Sequence, residues 1–70
     1  MAVAKVIEIM AESDVGWEDA ARKCVVEASE TIRNIKTLWV DGMQAVVEGD
    51  AIVKYRINAK VTFVVRDDRD

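Results

Sequence analysis

The stretch Ile52–Val65, IVKYRINAKVTFVV, decides the fold. One set of alternate positions reads Val53, Tyr55, Ile57, Ala59, Val61, Phe63, Val65, and the other reads Lys54, Arg56, Asn58, Lys60, Thr62. Alternation at period two over this length is a strand with one face on an apolar core and one polar face. β-Branched and aromatic residues dominate it, and neither Gly nor Pro interrupts it. At about 3.3 Å per residue it reaches on the order of 45 Å, well past the roughly five or six residues of a typical strand. A helix of ordinary length cannot cover all of that. The surplus, with its cationic and amide-bearing face, is where partners and ligands are expected.

Just upstream, Glu48-Gly49-Asp50 is too short for anything but an antiparallel hairpin, so Ile35–Val47 is the partner strand. Its apolar phase breaks, because Leu38 and Val40 stand at even positions and Met43, Ala45 and Val47 at odd ones. A β-bulge at Asp41-Gly42 restores a single core face, with Gly suited to a positive φ there. Thr37, Trp39 and Gln44 then point away from the core. Further upstream, the apolar and small positions 17, 20, 21, 24, 25, 28, 31, 32 and 35 fall on one helical stripe. The spacing predicts an amphipathic helix of about sixteen residues from Trp17. Glu18 and Asp19 lie in its first turn and Arg33 at its end, as the helix dipole favours. The connection Ala11–Gly16 holds the turn and cap residues Ser13, Asp14 and Gly16, with Gly16 closest to the N-cap. Ala2–Met10, AVAKVIEIM, is the first strand, with Ile7 and Ile9 toward the core. Apolar residues on both its faces imply that the second face is partly covered as well.

The order strand, helix, strand, strand predicts an α+β domain: a three-stranded antiparallel sheet, the last strand central, partly wrapped around one amphipathic helix. The domain is expected over residues 1–66, followed by a tail at 67–70 within the charged run Arg66–Asp70, which should fray.

A 70-residue core supplies only about 3–5 kcal/mol unless disulfides, metal or association help. The chain has one cysteine and no histidine. That removes the disulfide route, the commonest zinc ligand, and Ser-His-Asp or Cys-His catalysis. Self-association is therefore the expected source of stability, and no catalytic residue is assigned. Cys24 reads as a small buried hydrophobe and Trp17 as a structural plug or subunit contact. A net charge of −3 argues against nucleic acid as a partner. No apolar run approaches the ~18 residues of a membrane span, and no signal-peptide plan opens the chain, so a cytoplasmic protein is expected.

On the face opposite the helix, Thr37, Trp39, Gln44, Arg56, Asn58, Lys60 and Thr62 are joined by Glu8 and Met10 from the first strand. An exposed indole beside amides and cations suits a planar, polar-edged, anionic ligand. The alternative is that Trp39 and Met10 bury against neighbouring subunits, with the charges paired across them.

All but a few terminal residues resemble the dodecins, small bacterial and archaeal proteins of β-α-β-β order. The resemblance is carried by KVIEIM at Lys5–Met10, by ES at Glu12-Ser13 followed three residues later by WEDAA, by ETIRNI at Glu30–Ile35, and by YRINAKVTF at Tyr55–Phe63. It implies a hollow dodecamer with helices outward and sheets inward, binding flavin pairs between tryptophans of two subunits. It further implies flavin storage or buffering (riboflavin, FMN or FAD) rather than turnover. Two positions depart from the pattern of flavin-binding dodecins. Their stacking tryptophan falls on Thr37, with Trp39 two residues on and about 7 Å along the strand, and the glutamine that bonds the isoalloxazine edge falls on Arg56. The resemblance thus leaves two readings. One is a flavin site made of Trp39, Arg56, Gln44, Thr37 and Asn58; the other is a flavin-free shell with a structural or calcium-binding role. No stretch shows the Asp/Asn pattern of a calcium loop, so a metal site would have to be assembled between subunits.

Overall fold

The computed structural model describes residues 2–67. They form β1 (Ala2–Ser13), α1 (Trp17–Ser29), β2 (Ile35–Glu48) and β3 (Ala51–Asp67). The sheet order is β1-β3-β2 and both pairings are antiparallel, which is the expected β-α-β-β architecture with the long strand in the centre. Gly49, at φ 65°, takes the positive-φ position of the two-residue hairpin turn, which the pair Glu48 and Ala51 closes.

The core lies where the alternating face of β3 passes under the small side chains of α1. Ile57, Ala59 and Val61 are buried with Ala20 and Cys24. Each core residue of β3 has cross-strand neighbours on both sides: Ala11 and Met43, Ile9 and Val40, Ile7 and Leu38. At Ala20 and Cys24 the helix brings only short side chains to the sheet, so its backbone lies close. Thirteen helical residues span about 20 Å, whereas the 17 residues of β3 span roughly 56 Å. The molecule measures 57 × 19 × 14 Å, with a radius of gyration of 14.6 Å, against about 11 Å for a compact chain of this length. The helix therefore covers only the middle of the sheet.

Several local expectations are corrected. Helix α1 stops at Ser29, three residues short of the expected end at Ile32. The β-branched Thr31 and Ile32 leave the helix, and their amides both bond the Ala28 carbonyl, at 3.2 and 2.8 Å. Asn34, at φ 64°, then turns the chain into β2. Arg33 consequently sits outside the last turn, which holds no basic residue. Strand β1 runs on to Ser13 instead of ending at Met10, because β3 is long enough to pair with it up to Ser13 and Tyr55. The bulge falls where expected, between Val40 and Gly42, but Asp41 is the extra residue and Gly42 takes no positive φ. Further register shifts occur at Ile35/Thr37, Val46/Val47 and Val3/Ala4. Met43 and Val47, expected in the core, are 61% and 58% exposed because the helix starts only at Trp17 and does not extend over them. At the other end, the backbones of Arg66 and Asp67 pair with β1 as part of β3. The fraying expected of the rest of the tail lies outside the described residues.

Candidate functional site

The face of the sheet away from α1 is built in cross-strand rows. Glu12, Arg56 and Gln44 form one; Met10, Asn58 and Gly42 the next; then Glu8, Lys60 and Trp39; then Val6, Thr62 and Thr37. The register brings all five expected site residues, Thr37, Trp39, Gln44, Arg56 and Asn58, onto one face. The bulge at Asp41 is what makes this possible: without it, Gln44 would point to the helix side.

Trp39 is 67% exposed in mid-sheet. The Lys60 ammonium lies 5.9 Å from its ring centroid and 3.9 Å from Asp41 Oδ2. That distance is within reach of a cation–π attraction, and it places a positive charge beside the aromatic plane. Arg56 lies on this face as expected and is paired there with an acid. Its Nη2 donates to Glu12 Oε1 at 3.1 Å, while its buried Nε has no hydrogen-bond acceptor. Lys60 was expected on this face, though outside the five site residues, whereas Glu12 was not placed there from the sequence. The signal for Glu12 was present, because Glu8, Met10 and Glu12 continue the alternation against Ile7, Ile9 and Ala11.

Two residues have structural roles. Trp17 meets Tyr55 edge-on, with ring centroids 4.8 Å apart and planes at 78°, as a plug on the helix side of the sheet. Burial pushes the Cys24 thiol up, so the thiolate needed for nucleophilic chemistry is disfavoured. At the start of α1, Ser13 Oγ donates to Asp19 and accepts from the amides of Val15 and Gly16. The Ser13 hydroxyl, and after it the Lys23 ammonium, hold the Asp19 carboxyl below its ordinary value.

The face thus offers an indole, two amides, two cations and carboxylates, which are groups that bind and orient. Among the described residues no three His, Cys, Asp or Glu side chains lie close enough to hold a metal ion. No described helix is long and apolar enough to cross a membrane.

The comparisons agree with the architecture. The Dodecin family model matches residues 3–66. A calcium dodecin of Mycobacterium tuberculosis is 33% identical over 66 residues, 94% of this chain and 93% of that protein. The crystal structure of a calcium dodecin from that organism, described as calcium-chelating with a calcium-binding site, superposes with a TM-score of 0.80 at 31% identity, covering 97% of each chain. A dodecin from Thermus thermophilus superposes with a TM-score of 0.88 at 21% identity, over 96% of this chain and 100% of its own, and so shares the fold. With its β-α-β-β sheet and a family match across nearly its whole length, this chain belongs to the dodecin family.

Proposed function

We propose that the chain is the subunit of a homododecameric binding shell that holds a planar aromatic anion of the flavin class on the Trp39 face and does not turn it over. The observation that carries this reading is Trp39 itself, an indole 67% exposed in the middle of a sheet face. With Met10, 57% exposed in the next row, it gives this otherwise polar face an apolar area on which a planar ring can lie. In its own row stands Lys60, so a stacking plane and a counter-charge for phosphate share one site. The amides of Gln44 and Asn58 lie on the same face within two rows, available to a polar ring edge. Arg56 tunes the choice of ligand. A guanidinium donates but cannot accept, so a flavin ring NH finds no partner there, and neutral riboflavin loses more than a phosphorylated flavin.

Titrating flavin against the purified protein and against Trp39→Ala tests the reading. Quenching of flavin fluorescence is expected with the wild type and lost in the variant. Quenching unchanged in Trp39→Ala, or absent from the wild type, would refute the site.

A second reading, a flavin-free shell with a structural or calcium-binding role, is favoured by the likeness to calcium dodecin. Glu8 and Glu12 lie on the sheet face and Asp41 beside Lys60. Calcium takes six to eight oxygens, roughly, so neighbouring subunits would have to complete its shell. Calorimetric titration with calcium, in the absence of flavin, distinguishes this reading.

A further inference from the structure

Two features of the chain are complementary, and neither is satisfied within it. The first is an open groove of about 690 Å³ between the free edge of β1 and helix α1. Its floor is apolar, formed by Ile9, Ala11, Val26 and Ala28, with Val26 62% exposed. Arg22 and Lys23 stand at its rim. Among the described residues, Arg22 is paired only with Glu18, an exposed partner one helical turn away, and Lys23 only with the half-buried Asp19, which also accepts from Ser13; such i,i+4 pairs are weak. Glu12, also at the rim, is already engaged by Arg56, and Glu27 lies farther along the helix. The groove lacks the convergent buried polar groups that orient a small molecule.

The second feature is the hairpin arm. β1 ends opposite Tyr55, so the β2–β3 hairpin projects beyond it from Val46 to Lys54. This arm carries Val47 and Ile52, 58% and 51% exposed, with Met43 at its root. Its tip is Glu48-Gly49-Asp50, and neither acid enters an ion pair among the described residues. The arm continues the β2–β3 ladder in the sheet, whereas the groove opens on the opposite, free edge of β1, so the arm does not reach its own groove.

We propose that the hairpin arm of one copy docks in the α1/β1 groove of the next, with Val47 and Ile52 over Val26 and the acidic tip against Arg22 and Lys23. The contact is heterologous, head to tail, and such contacts close into rings and shells when the rotation permits. This rests on the shell reading above and makes its subunit contact specific. Nothing in it depends on which ligand the shell holds.

The test is charge reversal in the full chain, read by light scattering over a concentration series at low salt, with circular dichroism to confirm folding. Glu48→Lys with Asp50→Lys, and separately Arg22→Glu with Lys23→Glu, should each raise the concentration needed for assembly at least tenfold. Combining all four should recover assembly toward wild type, and Val26→Asp should weaken it without touching the tip. Wild-type assembly by both reversed variants, or no recovery on combining them, overturns the proposal. A wild-type protein that stays monomeric overturns the shell reading and this contact together, whereas a shell that binds no flavin but responds to the reversals supports the contact alone.

Discussion

The indole Nε1 of Trp17 donates a 3.0 Å hydrogen bond to the backbone carbonyl oxygen of Gln44. It pins the first turn of the helix to β2 just beyond the bulge, at the residue whose side chain lies on the face away from the helix. The scaffold and the candidate site therefore meet at one peptide unit. Trp17→Phe keeps the ring against Tyr55 and removes the donor, so unfolding free energy should fall by about 1 kcal/mol. Urea denaturation checks this, and an unchanged midpoint would show that the bond contributes nothing.

Ile57 is fully buried under Ala20 and Cys24 in the middle of β3. Ile57→Ala should cost about 2–5 kcal/mol through lost burial and the cavity left behind. That is comparable with everything a core of this size supplies, so the variant should be unfolded wherever subunit association does not rescue it. Circular dichroism at high dilution decides the matter; a cooperative, stable fold there would place the core elsewhere.

The Ser13–Asp19–Lys23 group predicts a pH dependence. The Asp19 carboxyl is lowered from 3.8, first by the Ser13 hydroxyl. A depressed folded-state pKa means that the contribution is complete above the unfolded value and is lost as pH falls through the folded one. In Ser13→Ala the acid limb of stability should flatten below pH 3.8. The deficit from the stranded amides of Val15 and Gly16 should persist at all pH values. Urea midpoints measured from neutral to acid pH test this, and parallel curves for variant and wild type would rule it out.

Cys24 is 3% exposed, and its thiol is pushed up by burial. Alkylation in the folded protein should be slow and should accelerate only with unfolding. A thiol that reacts as fast in buffer as in denaturant would mean that the helix does not lie where the fold puts it.

Arg56→Gln exchanges a donor-only group for one that both donates and accepts. If Arg56 borders the ligand, the variant should bind riboflavin more tightly than wild type, by about fivefold for one regained hydrogen bond of roughly 1 kcal/mol. The gain should be smaller for phosphorylated flavin. Equal shifts for both ligands, measured by fluorescence quenching, would remove Arg56 from the ring edge.

Most of the fold was legible because its signals are local. The alternation in Ile52–Val65, the stripe through Ala20, Cys24 and Ala28, and the break in phase at Asp41 each follow from the direction in which neighbouring side chains point on a regular backbone. From these alone came the element order, the central place of β3, the bulge, and the grouping of Thr37, Trp39, Gln44, Arg56 and Asn58 on one face. Only the tertiary structure decided how far each element extends and which groups meet. Pairing with β3 carries β1 to Ser13 and so brings Glu12 to Arg56; the short helix leaves Met43 and Val47 uncovered; Trp17 reaches Gln44 across 27 residues of chain. Periodicity tells which way a side chain faces, but not what stands opposite it. That depends on strand register and on the reach of a separate element, which no local pattern encodes.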